Sequence, residues 1–451
     1  EEGPRLKKAD FNQDGLDDWI VFGSTTEDVQ WNTQKPDGSF ETYGLNELIS
    51  EDLLIETGNL ADLNNDRLID LIVVSTHNEY QTNSYYSVLH FLINKGGRFE
   101  RSKSHRLDTQ VSEVTPIDMN GDGMVELFLS GKVKIFEYPH PDPSMLLVQE
   151  GDGWQKLDDS KLDHGNQKLG LAFAEAYDFD SDGFDDLIIG GPFRPIEWMH
   201  NQNGESFVAK PIQGFENKLG WWRSLSLIDY DNDGDQDLFL GNIGQNHNYH
   251  IDTDKPLNLL VKDFDRNGFE EPILFAPNKN LEGDWDSYPV SFWGNLYGQS
   301  PYFRNRFESY HDFATATLES ITAELDAFEL YEINYDSSVV LENKGDTSVA
   351  AQELPAQAQW APLYGFEKVA SQAKTSILVV GNDFGNEPFF GPLDALNGLQ
   401  LDLVDRQWVV NKHSNFYVTG NARDLIRIKK ADKGYRYIAS QNNDQLVIYD
   451  K

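Results

Sequence analysis

Six segments of the chain repeat one pattern of polar and apolar positions, and each runs into four or five residues of strand character. They are ADFNQDGLDDWIVFG from Ala9, ADLNNDRLIDLIVVS from Ala61, IDMNGDGMVELFLSG from Ile117, YDFDSDGFDDLIIGG from Tyr177, IDYDNDGDQDLFLGN from Ile228 and KDFDRNGFEEPILFA from Lys262. Runs such as Trp19-Ile20-Val21-Phe22 and Leu187-Ile188-Ile189 are β-branched or aromatic and too short for a helix, so they read as strands. Farther on, Val88 to Asn94 followed by Lys95-Gly96-Gly97-Arg98-Phe99 reads as strand, turn and strand. The phrase recurs from His200 to Phe207 and, more loosely, from Leu341 to Gly345. The repeating unit is therefore strand, acidic loop, strand, strand, turn, strand.

The leading aspartates of the six loops are 52, 56, 60, 51 and 34 residues apart. A period a little over 50 suits a four-stranded blade, and a ring of blades protects strand edges. The expected fold is all-β, a single β-propeller domain over residues 1–451, with seven blades and eight as the alternative. The 34-residue interval is too short for a full blade. A seventh loop would follow Tyr364-Gly365-Phe366, but EKVASQAKTS there has lost nearly every ligand, although the strand Ile377 to Gly381 still follows. A last hairpin runs from Asp424 to Ile428, turns at Asp432-Lys433-Gly434 and continues from Tyr435 to Ser440.

One stretch, about 277–332, leaves the repeat and is expected to be a partly helical insertion on one face of the ring. Phe313, Leu318, Ile321, Leu325 and Phe328 fall near helical spacing, which predicts a helix from Ser309 to Leu330. Upstream lies an aromatic-rich loop with Trp285, Tyr288, Phe292, Trp293, Tyr297, Tyr302 and Phe303. A long ordered insertion in a compact fold is usually functional, so these seven residues are the candidate partner-binding surface.

The loops themselves carry chemistry. Calcium takes six to eight hard oxygens, and a curled D-x-[DN]-x-[DN]-G-x-x-[DE] loop turns its odd-numbered positions inward, with position seven giving its carbonyl. The candidate ligands are Asp10, Asn12, Asp14, Leu16 and Asp18; Asp62, Asn64, Asp66, Leu68 and Asp70; Asp118, Asn120, Asp122, Met124 and Glu126. The remaining three sets are Asp178, Asp180, Asp182, Phe184 and Asp186; Asp229, Asp231, Asp233, Asp235 and Asp237; Asp263, Asp265, Asn267, Phe269 and Glu271. Glycine at position six permits a left-handed backbone, and Arg67 replaces it in the second loop. The bland alternative is a set of acidic turns, since Asp, Asn and Gly form turns without any metal. Five to six structural Ca2+ sites are expected.

Composition narrows the field. The formal charge is −38, from 37 basic and 75 acidic residues, which argues against nucleic acid or an anionic membrane as partner. Aromatic residues make up 12% of the chain and apolar ones 39%, enough to build cores. With no cysteine there is neither a disulfide nor a thiolate-held metal, and no apolar run reaches the 18 residues of a membrane-spanning helix. The chain starts at Glu1 without Met or a signal-like run, as expected of a mature or excised form.

The loops, each followed by an apolar strand and glycine, resemble the FG-GAP/VCBS repeats of integrin-α-type propellers. GNIGQNHNYH from Gly241, RNRFESYHDFATATLE, YDSSVVLENKGD, LPAQAQWAPLYG and SQNNDQLVIY resemble the C-terminal propeller of bacterial VCBS proteins with ASPIC/UnbV-type regions, common in Bacteroidetes-like genomes. The resemblance implies an exported protein at the extracellular or outer-membrane surface, often with a lipid anchor, here upstream of residue 1. The expected role is a binding or scaffold module whose partner is a surface protein or a glycan. Trp285 to Phe307 and Leu219-Gly220-Trp221-Trp222 are candidates for stacking sugars. The alternative is a polysaccharide-active lyase or hydrolase, for which His247, His250, Tyr310 and His311 are the candidate residues, but no catalytic constellation is legible.

Overall fold

A computed structural model describes residues 3–22, 29–49, 54–76, 86–134, 137–151, 153–163, 168–345, 347–371, 374–386, 390–431 and 434–450. The turn residues Asp432 and Lys433, and Gln372 and Ala373 of the degenerate loop, lie outside them. The protein is all-β, with many four-stranded antiparallel sheets and few helices, as a propeller requires.

The first sheet joins Arg5–Ala9, Asp18–Phe22, Gln30–Gln34 and Phe40–Gly44 in chain order, and the second starts with Leu54–Ala61, Asp70–Thr76 and Ser87–Asn94. The third begins at Val111, the fourth at Phe173, the fifth at Ser224, the sixth at Leu363 and the seventh, three-stranded, at Ala422. In the six full sheets the second strand is central and buried on both faces, which is why it reads as a continuous apolar run rather than an alternating one. Asp186–Gly190 and Asp237–Gly241 are buried at every position, whereas the outer strand Phe40–Gly44 is almost wholly exposed.

Among the described residues the apolar side chains form several separate cores. Each sheet shares a separate apolar cluster with the next: Phe11, Phe22 and Val73 between the first and second, Ile72, Val114 and Leu129 between the second and third. A further one joins Leu6, Trp19, Ile426 and Ile438 of the first and seventh sheets. The first strands lie side by side, and the contact between Arg5–Ala9 and Ala422–Lys429 links the two ends of the chain. There the Leu6 N–H donates to Asp424 Oδ2 at 2.8 Å.

The insertion differs from the expected 277–332 segment. It sits between the second and third strands of the fifth sheet and contains a sheet of its own, ordered Trp285–Pro289, Glu271–Lys279, Leu257–Lys262, Glu329–Ile333. The sixth acidic loop, from Asp263, belongs to this inserted sheet, and that accounts for the short 34-residue interval. The expected helix from Ser309 to Leu330 is instead two one-turn helices, Tyr310–Ala314 and Leu318–Thr322, followed by a strand. Thr317 caps the second of these by accepting from the Ser320 N–H, and a capping residue starts a new helix rather than continuing an old one. The aromatic loop contains two more short helices, Trp293–Gln299 and Pro301–Arg306.

Candidate functional site

In the chain, each acidic loop lies between the first and second strands of its sheet. Its shape is set by hydrogen bonds from its own backbone. In the loops from Asp10, Asp62, Asp178 and Asp263 the N–H of position five donates to the side chains of positions one and three, as from Asp14 to Asp10 Oδ1 (3.0 Å) and Asn12 Oδ1 (2.9 Å), whereas in those from Asp118 and Asp229 position four donates to position one. In the loops from Asp10, Asp62, Asp118, Asp178 and Asp263 the N–H of position six donates to Oδ2 of position one, as from Gly183 to Asp178 Oδ2 at 2.9 Å. The N–H of position seven donates to position five, as from Phe184 to Asp182 Oδ1 at 3.0 Å. These Asx-type turns orient the side chains while leaving oxygen lone pairs unused.

Two left-handed residues make the curl possible, where the sequence pointed to one. Position six has φ of 86° at Gly15 and 95° at Gly183, and Arg67 adopts 68° in the same role, its N–H donating to Asp62 Oδ2 at 2.7 Å. Position four is also left-handed at Gln13, Asn65, Gly121, Ser181, Asn232 and Arg266. No shared residue type marks it, so the pattern could not reveal it. Position two is buried in all six loops, at Phe11, Leu63, Met119, Phe179, Tyr230 and Phe264, and roots each loop in an apolar cluster. Its recurring apolar character was the available signal.

Position nine does more than its reading as a ligand suggested. Asp186, fully buried, accepts from the Phe179 N–H (3.1 Å) across its loop and from the Asn201 N–H (2.7 Å) on the third strand. Asp70 does the same with Leu63 (2.9 Å) and Asn94 (2.7 Å). Those asparagines then reach the preceding sheet: Asn94 Nδ2 donates to the Phe11 carbonyl and Asn201 Nδ2 to the Met119 carbonyl, both at 2.8 Å. The following hairpin turn lies directly on the neighbouring loop. A Cβ on Gly97 would stand 2.9 Å from Asn12 Cβ, and one on Gly204 2.9 Å from Asn120 Cα. Each of these two loops is thus clamped by the sheet that follows it.

The electrostatics favour a cation. Burial first, then neighbouring carboxylates, push Asp18 and Asp70 up to about 6 and Asp237 to about 7, against backbone hydrogen bonds that lower them. Asp18 Oδ2 is enclosed without a hydrogen-bond partner among the described residues. Oxygens of Asp178, Asp180 and Asp182 lie within 4.8 Å of one another, as do those of Asp229, Asp231 and Asp237, and of Asp263, Asp265 and Glu271. His200 joins Asp180 and Asp186 in a further group, its Nδ1 3.4 Å from Asp180 Oδ2. The other three loops have Asn at position three, an oxygen donor without charge. Several acidic groups could therefore hold metal ions, and the donors are mostly the hard oxygens that suit Ca2+.

The sixth sheet replaces the loop with an ion pair. Ser376 opens the strand that in the sheets with an acidic loop starts with Asp or Glu, and its Oγ donates to Asp402 Oδ1 at 2.7 Å. Lys374 Nζ and Gln400 Nε2 complete the cluster at 2.5 and 2.9 Å. Burial works to raise the Asp402 carboxyl, but the bonds from Lys374, Ser376 and Gln400 outweigh it and hold the group below its usual range. A depressed carboxylate contributes stability above its unfolded pKa and loses it as pH falls through the folded value. Asp402→Asn is thus expected to cost about 1–2 kcal/mol at pH 7, a charge-assisted bond's worth. The difference from wild type should shrink towards pH 3 in urea melts and be indifferent to chelator; an equal cost at both pH values would refute the assignment.

The candidate aromatic surface divides. Trp285, Phe292 and Tyr297 are exposed, and Tyr288, Trp293 and Tyr302 are half-buried. Phe303 is fully buried among Phe264, Phe275, Leu296 and Ile321, so it is core to the insertion and cannot meet a partner. Trp222 is likewise core, its Nε1 donating to the Arg194 carbonyl at 3.1 Å, while Trp221 is half-buried. The four candidate catalytic residues do not come together as one group. His247 sits 3.4 Å from Asp336 Oδ2, His250 packs on Trp285, Tyr310 packs on Trp293, and His311 lies on the same short helix as Tyr310.

Residues 62–129 and 178–240 match the FG-GAP-like repeat family. Among curated proteins, none matches the chain by sequence. Solved structures similar to it include an Agrocybe aegerita lectin described as recognising non-reducing terminal N-acetylglucosamine (13% identity, TM-score 0.35, covering 80% of this chain and 82% of that one). Another is the V. cholerae biofilm matrix protein Bap1 (11% identity, TM-score 0.38, covering 99% and 87%). Among the described residues no helix is long and apolar enough to cross a membrane.

Proposed function

We propose, from the FG-GAP-like repeats matched at residues 62–129 and 178–240, that this chain is a calcium-stabilised, seven-bladed extracellular propeller that acts as a binding or scaffold module. The seven sheets are its blades, closed by the contact between the first and seventh. Five to six Ca2+ ions fill the acidic loops, with the insertion a part of the same single domain. The observation that carries the reading is the loop framework itself: three of the six loops bring three carboxylates within 4.8 Å of one another, and burial and neighbouring acids raise the position-nine carboxyls Asp18, Asp70 and Asp237. The ions are structural, because each loop joins the first two strands of a sheet and no substrate-sized opening is needed to fill it.

The partner is a surface protein or a glycan, met through the exposed aromatic residues of the insertion. Trp285, Phe292 and Tyr297 together replaced by Ala are expected to reduce capture of the native partner about tenfold or more, as loss of aromatic anchors does. Calcium-dependent melting should stay unchanged, since all three side chains are exposed. The check is a pull-down from the native cell envelope beside a glycan array, with wild type and variant compared. Undiminished capture by the variant would remove the aromatic surface from the proposal.

A further inference from the structure

A cavity of about 820 Å³ opens at the opposite end of the hairpins from the acidic loops. Arg5 and Arg423 lie in the first strands of their sheets, Arg223 stands just before one, and Asp383 follows a second strand; all four line the cavity. The acidic loops from Asp10 and Asp229 sit at the far end of the strands that begin at Arg5 and Ser224, about 17 Å away for a five-residue strand. Leu274, Val290 and Ser291 of the insertion form part of the wall.

The geometry points to this cavity as a binding site for a saccharide that bears a carboxylate, a uronic-acid residue. The inference rests on the binding reading above and names a ligand for it. The first argument is charge. In a chain of net charge −38, three arginines line this one space, and among its described lining residues Asp383 is the one acidic side chain. Arg223 and Arg423 each place a terminal nitrogen 3.4 Å from a different oxygen of that carboxylate. Burial works to raise Asp383, and the two guanidiniums outweigh it and hold the group in its charged form. Two cations share one anion, and the Arg423 side chain is only 5% exposed. The Nε of both arginines is enclosed with no hydrogen-bond partner among the described residues. A buried positive surplus of this kind is costly unless a further anion joins it.

The second argument is shape and polarity. Aromatic rings hold both guanidiniums in place: Arg423 lies 4.2 Å over Tyr364 and Arg223 5.1 Å over Trp221. Such support fixes the planar fork that matches a carboxylate, which a lysine would not provide. Around the arginines stand six asparagines, Asn246, Asn248, Asn386, Asn421, Asn442 and Asn443. Amides can donate to and accept from hydroxyl groups, as sugar recognition requires, whereas a simple inorganic anion would have no use for them. The Tyr249, Phe384 and Phe390 rings give apolar walls for the faces of a pyranose. The volume falls within the range of ligand cavities and accommodates two or three sugar rings. Ser291 in the wall adjoins Phe292, which is 45% exposed, so a longer chain could leave the cavity over the aromatic rim of the insertion.

The test is calorimetry on the calcium-loaded protein with tri-galacturonate, its methyl ester, and citrate. Wild type is expected to bind the acidic trimer about tenfold or more tightly than the ester, because the ester leaves the charged donors unpaired. Arg223→Gln, at a side chain 24% exposed, is expected to abolish that preference with an unchanged melting temperature. Arg423→Gln should do the same, and its melting curve shows whether it folds. Equal affinity for acid and ester, citrate binding as tightly as the trimer, or no binding of the trimer would each overturn the proposal. Trimer binding that survives in a folded Arg223→Gln variant would overturn the location while leaving the broader binding role intact. That broader role fails only if the envelope pull-down and the glycan array are also empty.

Discussion

Adding a calcium chelator is expected to lower the melting temperature by on the order of 10 °C or more, and calcium, but not magnesium, should restore it. Each site held at about 100 times its dissociation constant contributes roughly 2.7 kcal/mol to the folded state, provided the unfolded chain does not bind. On the proposed reading five or six such sites act together, since each loop is rooted by its position-two side chain in the apolar clusters. The ion also relieves the repulsion among carboxylates held within 4.8 Å of one another. Magnesium demands a smaller and stricter octahedral shell and dehydrates reluctantly, so a many-oxygen loop suits it poorly. Scanning calorimetry in chelator, then with each cation added back, gives the answer. A melting curve that does not move in chelator would reduce the six loops to acidic turns.

Asp186→Ala is expected to destabilise by about 3–5 kcal/mol whether or not calcium is present. The carboxylate is fully buried and ties two backbone N–H groups, from Phe179 and Asn201, that have no water to turn to. Removing it leaves both donors orphaned and frees the asparagine that reaches the neighbouring sheet. Asp182→Asn is the contrast. An amide oxygen can still accept from the Phe184 N–H, so the loop keeps its shape and loses only charge. Its effect should appear with calcium and vanish in chelator. Urea melts of the two variants under both conditions separate the staple from the ligand. If Asp186→Ala proved silent in chelator, position nine would be a metal ligand and nothing more.

The sequence by itself determined the parts that are local. A nine-residue loop closes through its own backbone, so Asp, Asn and Gly at fixed offsets are enough to specify it, and the strand that follows is written in four or five apolar residues. The repeat of that unit made the all-β reading legible, and the hairpin phrase around Asn94 and Asn201 was visible as well. Tertiary structure decided what depends on neighbours distant in the chain. The loop from Asp263 has the same local signature as the others but lies in an inserted sheet, because placement follows the distant pairing of Leu238 with Leu341, beside which the Asn343 N–H donates to Asp237 Oδ1. Position nine looks like one more ligand until the third strand arrives to share its oxygens. Phe303 and Trp222 carry the same aromatic signal as Trp285 and Trp221, and only packing sends the first pair inside. The arginine-lined cavity gave no sequence signal at all: Arg5, Arg223 and Arg423 are separated by about two hundred residues each, and they meet because the first strands of the sheets start at one end. Loops write their chemistry in consecutive residues, whereas this cavity exists only where separate sheets converge.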